Sequence, residues 1–231
     1  MATPASFAFL HGGGQGGWIW DETLAALSPD VRAQVFDLPG CGAKRGVETS
    51  RLTVSDVADV LIAELAAAGL ENCILTGHSN AGTILPLVAE RRPDLVRRYV
   101  YLSCIAPPPG RTIREVMGMS QPEAESMEVR LRRMFCNDMD SAEADAFLAK
   151  LGHDHWPTLQ ALNETAWRYD HLREADAIYI ICQRDQALPV AWQEEFATRL
   201  HVRRRAYIDA GHQAMNTQPH RLAALLLAEA A

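Results

Sequence analysis

The sequence predicts an α/β protein: a mostly parallel, doubly wound sheet with helices on both faces and a small helical insertion. Three observations lead there. Short apolar runs alternate with longer segments of helical period. The runs are short and apolar enough to be strands buried on both faces, as in a parallel sheet. The alternation stops between about Pro107 and Arg173, then resumes. The chain of 231 residues, 48% apolar and 22% charged, is long enough to bury a good core in one or two domains.

"SFAFL" (6–10) is the first strand and runs straight into glycines. "AQVFDL" (33–38) is the second, ending in the turn "PGCG". "TVSDVADVLIAELAAAG" (53–69) reads as a helix, with Thr53 and Asp56 spaced as a cap and Gly69 at its end. "NCILTG" (72–77) is a strand and "AGTILPLVAERRP" (81–93) a helix, with Pro86 set against its straightness. The remaining strands are "RRYVYLSCI" (97–105), "AIYIICQ" (177–183) and "RRAYIDA" (204–210). "QPHRLAALLLAEA" (218–230) is the last helix. The interrupting region opens on "APPPG" and holds five of the seven methionines: Met117, Met119, Met127, Met134 and Met139. The expected organisation is a core of residues 1–106 and 174–231, with 107–173 inserted as a helical cap.

A formal charge of −7 argues against a nucleic-acid partner. The five cysteines are scattered, with no CxxC pair, which favours reduced thiols in a cytoplasmic protein over a disulfide framework or zinc. The first ten residues lack a basic region followed by an apolar run, so no signal peptide is expected, and no stretch reaches membrane-spanning length.

Against this background "TGHSNAGT" (76–83) is informative. Ser79 follows a strand and precedes a helix, the setting of a nucleophile elbow, although the G-x-S-x-G pattern ends in Ala81. A serine hydroxyl needs a base to take its proton and donors to hold the oxyanion. "HGGGQGGW" (11–18), directly after the first strand, can supply a donor, because an HGGG-type loop contributes an oxyanion-hole amide in esterases. The expected hole is Gly13 N–H with Asn80 N–H. The same glycines fit a phosphate-cradling G-x-G-x-x-G loosely (Gly12, Gly14, Gly17), but no clear acidic ribose contact follows at the usual distance. The base is expected at His212, in the loop before the last helix, and the acid at Asp185, in the loop after the fifth strand. Both should emerge on the sheet edge that carries Ser79, in the chain order Ser–Asp–His of α/β-hydrolases. Asp209, three residues before His212, is the rival acid.

Together these segments resemble the α/β-hydrolase superfamily, and within it the branch of plant methylesterases and hydroxynitrile lyases. "HGGGQGGWIW" is similar to that branch's H-G-x-x-H-G-x-W loop, with Gln15 where histidine is usual. "FDLPGCG", "ILTGHSNAG", "CQRDQALP" and "AGHQAM" resemble the D-L-P-G-x-G turn, the elbow, and the acid and base segments. The resemblance covers nearly the whole chain and weakens in the insertion. It implies an α/β-hydrolase fold lacking the first antiparallel strands, and catalytic roles for Ser79, Asp185 and His212. The lyases of the branch carry threonine where Gly12 stands and lysine where Gln213 stands, so the resemblance favours hydrolysis.

His78, beside the serine, reads as elbow support rather than a second base, and joins Gly12, Met134 and Trp156 in the expected substrate-binding set. His153 and His155 lack partners for a metal site. Arg111, Arg114, Arg130, Arg132 and Arg133 read as a solvated helix face. The expected activity is hydrolysis of a carboxylic ester of a small, largely apolar molecule, with no cofactor and no metal. The alternatives are C–C or amide hydrolysis on the same residues, or a slow-turnover ligand receptor of the same fold. A homodimer is compatible with the sequence.

Overall fold

The computed structural model describes residues 6–119 and 125–230, so the first residues of the expected core, and 120–124 of the expected insertion, lie outside the described residues. Six apolar runs form β1 (Ser6–Leu10), β2 (Arg32–Phe36), β3 (Cys73–His78), β4 (Val96–Leu102), β5 (Ala177–Cys182) and β6 (Arg204–Ile208). They make one sheet in the order β2-β1-β3-β4-β5-β6, and all five pairings are parallel. The helices are α1 (Asp21–Ala26), α2 (Val54–Ala67), α3 (Leu85–Arg91), α4 (Ile113–Val116), α5 (Met127–Phe135), α6 (Ser141–Lys150), α7 (Leu159–Leu162), α8 (Val190–Arg199), α9 (Ala214–Thr217) and α10 (Pro219–Ala228).

Strand side chains alternate between two cores, as the period of two requires. On β1, Ala8 and Leu10 face a core completed by Val57, Leu61 and Leu65 of α2, Val88 of α3 and Phe196 of α8. Phe7 and Phe9 face the other, completed by Trp20, Met215 of α9, and Leu222 and Leu226 of α10. The chain leaves β1 for β2 on one side and returns to β3 on the other. The strand order therefore reverses between β1 and β3, and ligands of open α/β sheets bind at the carboxyl ends of the strands flanking such a reversal.

The Thr53–Asp56 capping box forms as expected. The helix expected over 81–93 is divided: residues Ser79–Thr83 make a 3₁₀ turn and α3 starts only at Leu85. Pro86 lies in the first turn of α3, where its missing N–H costs nothing, so it starts a helix and does not bend one. The sequence reading contains no counterpart of α1 or α8. The first is six residues long; in the second, Gln193 takes a core position and blurs the apolar period. Gln193 is fully buried yet satisfied, accepting from Cys182 N–H at 2.9 Å and donating to the carbonyls of Cys182 (3.0 Å) and Leu188 (2.7 Å).

Between β4 and β5 the described residues contain no strand. Part of this segment has a small core of its own, Cys136, Ala144 and Phe147. Trp156, Ala161, Trp167 and Leu172 instead join the main core. Residues 152–164 are tied to the loops after β1 and β2. Gly14 N–H donates to Trp156 O (2.6 Å), His155 N–H to Gly40 O (2.9 Å), Thr158 Oγ1 to Leu52 O (3.2 Å) and Val54 N–H to the Glu164 carboxylate (2.8 Å).

Candidate active site

Ser79 closes β3 in a left-handed conformation, φ +54°, which lifts its side chain off the sheet edge. Tight packing holds the turn. Ile105 N–H donates to Ser79 O at 3.0 Å, and a Cβ on Gly82 would stand 2.2 Å from the Ile105 carbonyl oxygen. The residue that must be glycine is thus Gly82, and the Ala81 methyl fits because Gly77 opposite has no side chain.

The chain brings Ser79, His212 and Asp185 into contact. His212 Nε2 lies 3.0 Å from Ser79 Oγ, and its Nδ1 lies 2.7 Å from Asp185 Oδ2. Asp185 is 4% exposed, and its charge is met from every side. Oδ1 accepts from the amides of Ala187 (2.7 Å) and Leu188 (2.8 Å), and Oδ2 accepts from Ser103 Oγ (2.5 Å) as well as facing His212. Ser103, just past β4, is a site residue the sequence reading missed; its signal was a serine at a strand's carboxyl end. Asp209, the rival acid, is 78% exposed at its side chain and pairs with Arg184 at 2.8 Å. The segment between β4 and β5 also reaches the histidine loop, where Asp138 Oδ2 accepts from Gly211 N–H at 2.6 Å.

His78 sits behind this arrangement. It is fully buried, its ring centroid is 4.5 Å from that of His212, and its Nε2 is 3.0 Å from the His212 carbonyl oxygen. A carbonyl only accepts, so Nε2 carries the proton. Burial first, and His212 second, hold the His78 pKa well below the usual imidazole value, so the ring is neutral. It steadies the backbone of His212.

The glycine loop is set by His11, also fully buried. Its Nε2 accepts from Leu38 N–H (3.0 Å), which leaves Nδ1 to donate to Gly12 O (2.8 Å). Gly12 passes so close to the elbow that a Cβ there would meet Gln15 Oε1, His78 Nδ1 and Ser79 Cβ, each at 3.0 Å.

A cavity of about 300 Å³ opens above Ser79, lined by Gly13, Asn80 and His212 and walled by the segment between β4 and β5. Met117, Met119, Met134, Phe135 and Trp156 make its apolar side. Of the expected substrate-binding set, Met134 and Trp156 line it. Gly12 and His78 do not: the first is pressed against the base of the serine, and the second is fully buried against the His212 ring. His155 reaches the cavity mouth, whereas His153 turns to Ala149 O at 3.1 Å. Among the described residues no group of three or more His, Cys, Asp or Glu is placed to hold a metal, and no helix is long and apolar enough to cross a membrane. All five cysteines are buried and free. Among the arginines singled out, Arg111 pairs with Glu115, Arg132 with Asp145 and Arg133 with Glu125.

Asp154, also in the cavity wall, was not anticipated. Its carboxylate accepts from Gly42 N–H (2.7 Å), Arg45 Nε (2.7 Å) and Trp18 Nε1 (3.2 Å). Burial opposes its charge, but Arg45, Gly42 and Trp18 together hold its pKa below the usual carboxylate value.

Comparison with known proteins places these features in context. The model of the alpha/beta hydrolase family matches residues 7–225. The rice protein named "Probable esterase PIR7A" is 33% identical over 123 residues, 51% of this chain and 47% of that protein, so the chain spans about half the length of that relative. Methylesterase 10 of Arabidopsis thaliana is 26% identical over 249 residues, 95% of this chain and 90% of that one. Among solved structures, an extracellular α/β-hydrolase from a Paenibacillus species superposes with a TM-score of 0.81 at 21% identity, covering 98% of this chain and 99% of its own. The methylesterase MES16 from Arabidopsis gives 0.78 at 18%, covering 97% and 98%. At these identities the two structures share the fold.

Proposed function

The chain belongs to the alpha/beta hydrolase family, and from that premise we propose that it is a serine esterase acting on small, largely apolar carboxylic esters. The observation that carries the proposal is the unbroken line of contacts from Ser79 Oγ through His212 to Asp185, opening on an apolar cavity. The esterase and methylesterase names of the relatives support the ester bond as the target.

In this reading Ser79 Oγ attacks the ester carbonyl while His212 Nε2 takes its proton. Asp185 keeps the His212 proton on Nδ1 and stabilises the imidazolium as it forms. The tetrahedral oxyanion is held by the Gly13 and Asn80 amides. Asn80 is second in its 3₁₀ turn and has no partner within that turn for its N–H; the Gly13 N–H makes no hydrogen bond among the described residues. His212 then protonates the leaving alkoxide, and water frees the acyl-enzyme by the reverse sequence. Residues 107–173 act as a cap that chooses the substrate.

The test is a screen of aryl and alkyl esters of graded acyl length, with the Ser79→Ala protein as control and a fluorophosphonate probe as active-site label. Hydrolysis with stoichiometric labelling at Ser79, both absent in Ser79→Ala, is the expected result. Labelling elsewhere, or turnover that survives Ser79→Ala, would reject the proposal.

A further inference from the structure

The residue after the serine contributes more than its amide. The Asn80 side chain is 6% exposed and lines the cavity beside Ser79. Its Oδ1 accepts from Trp156 Nε1 at 3.2 Å. An indole N–H can only donate, so this bond settles which end of the amide is oxygen, an assignment otherwise open for an asparagine. The Nδ2 group is therefore the other end, and among the described residues it has no hydrogen-bond partner. Of the other polar wall side chains, Asp154 is engaged by Arg45, Gly42 and Trp18 and His212 by Ser79 and Asp185, which leaves the Gly13 amide, assigned above to the oxyanion, and the His155 ring as the further groups without a partner among the described residues. Most of the remaining wall is methionine, phenylalanine and aliphatic carbon. A donor so placed, held by a buried tryptophan of the insertion, rewards a ligand that brings an acceptor and penalises one that leaves it dry.

We propose that Asn80 Nδ2 is a specificity-determining donor, and that the enzyme prefers esters whose acyl group carries a second acceptor oxygen, an ether or a ketone, close to the scissile carbonyl. This rests on the esterase reading and narrows its substrate class.

The experiment compares pairs of p-nitrophenyl esters matched in size: methoxyacetate against butanoate, and levulinate against hexanoate. Each kcat/KM is divided by the ester's rate of alkaline hydrolysis, to remove intrinsic reactivity. The wild-type protein should favour the oxygen-bearing member of at least one pair by about 3- to 10-fold, the range of one neutral hydrogen bond. Asn80→Leu should bring that ratio close to one. Trp156→Phe, which frees the amide to turn, should lower it as well. A wild-type ratio near one, a ratio that survives Asn80→Leu, or an equal fall for both members of a pair would overturn the proposal; the last result would mean that the side chain serves only the oxyanion or the cap. Calorimetric binding of the corresponding unreactive anilides gives the same ratio without turnover. Selective anilide binding that is lost in Asn80→Leu, with no ester hydrolysed, would reject the esterase reading while upholding the donor. Unselective binding with good hydrolysis would do the reverse.

Discussion

Replacing Asp185 by asparagine changes one atom and should separate catalysis from folding. Asp185 accepts four hydrogen bonds, two at each oxygen. In Asp185→Asn the carbonyl oxygen can keep the Ala187 and Leu188 amides. The new NH₂ then faces Ser103 Oγ and His212 Nδ1, both of which can turn from donor to acceptor. The fold should therefore lose no more than about 1 kcal/mol. For His212 the change is decisive. With Nδ1 accepting, its proton moves to Nε2, which then faces Ser79 Oγ without a lone pair to receive the hydroxyl proton. A loss of about 10⁴ in kcat is known for this tautomer change in serine proteases, and at 1.36 kcal/mol per factor of ten it is about 5 kcal/mol of activation free energy. The assay is kcat on the best ester from the screen, with the rate of fluorophosphonate labelling and the melting temperature measured on the same preparation. Asp209→Asn is the control, because its carboxylate is exposed and meets only Arg184; it should stay within about twofold, as surface ion pairs contribute little. Asp185→Asn activity within about tenfold of wild type at unchanged stability would refute the reasoning, as would a crippled Asp209→Asn.

Met134→Ala removes bulk from the cavity wall and should shift relative kcat/KM toward longer acyl chains by about tenfold, leaving probe labelling of Ser79 intact; a uniform loss across substrates would make the segment structural. Gly82→Ala forces a methyl against the Ile105 carbonyl and should cost about 1–3 kcal/mol in urea unfolding. His11 and His78 have folded-state pKa values lowered by burial, so the unfolded chain binds protons at these rings that the native chain refuses. Their contribution is fully present above the unfolded value of about 6.5 and is lost as pH falls toward the folded values, with a slope of at most about 2.7 kcal/mol per pH unit for the two. Unfolding free energies measured between about pH 7 and pH 5 should fall accordingly, and His78→Gln should remove about half of the slope.

Much of the sheet was legible because its strands are short apolar runs bounded by Gly, Pro and polar residues, and their carboxyl ends are where Ser79, Asp185 and His212 stand. What could not be read depends on neighbours distant in the chain. Asp154 acquires its meaning only beside Arg45, 109 residues away, and Ser103 only beside Asp185, 82 residues away. His78 was expected both to support the elbow and to meet the substrate; its ring is fully buried against His212, whose carbonyl it holds, and is not among the residues that line the cavity. Helix α8 was lost because a buried glutamine interrupts its apolar period.

The unequal anchoring of the segment between β4 and β5 bears on how this protein can change. Residues 152–164 are fixed to the loops beside the site by backbone and part-buried side-chain bonds, and Trp156 sits in the main core. Variation there disturbs Gly14, Gly40 and the loop that carries Gly13. Helix α5 buries no residue completely, yet it lends Met134 and Phe135 to the cavity. Apart from Phe135, whose ring lies 5.4 Å from that of His212, its side chains can be exchanged with little debt to the scaffold. Natural drift, or a laboratory library, should thus accumulate new substrate preferences along α5 while 152–164 stays nearly constant, and diversification aimed at α5 should return a larger share of folded, altered enzymes than the same effort spent on 152–164.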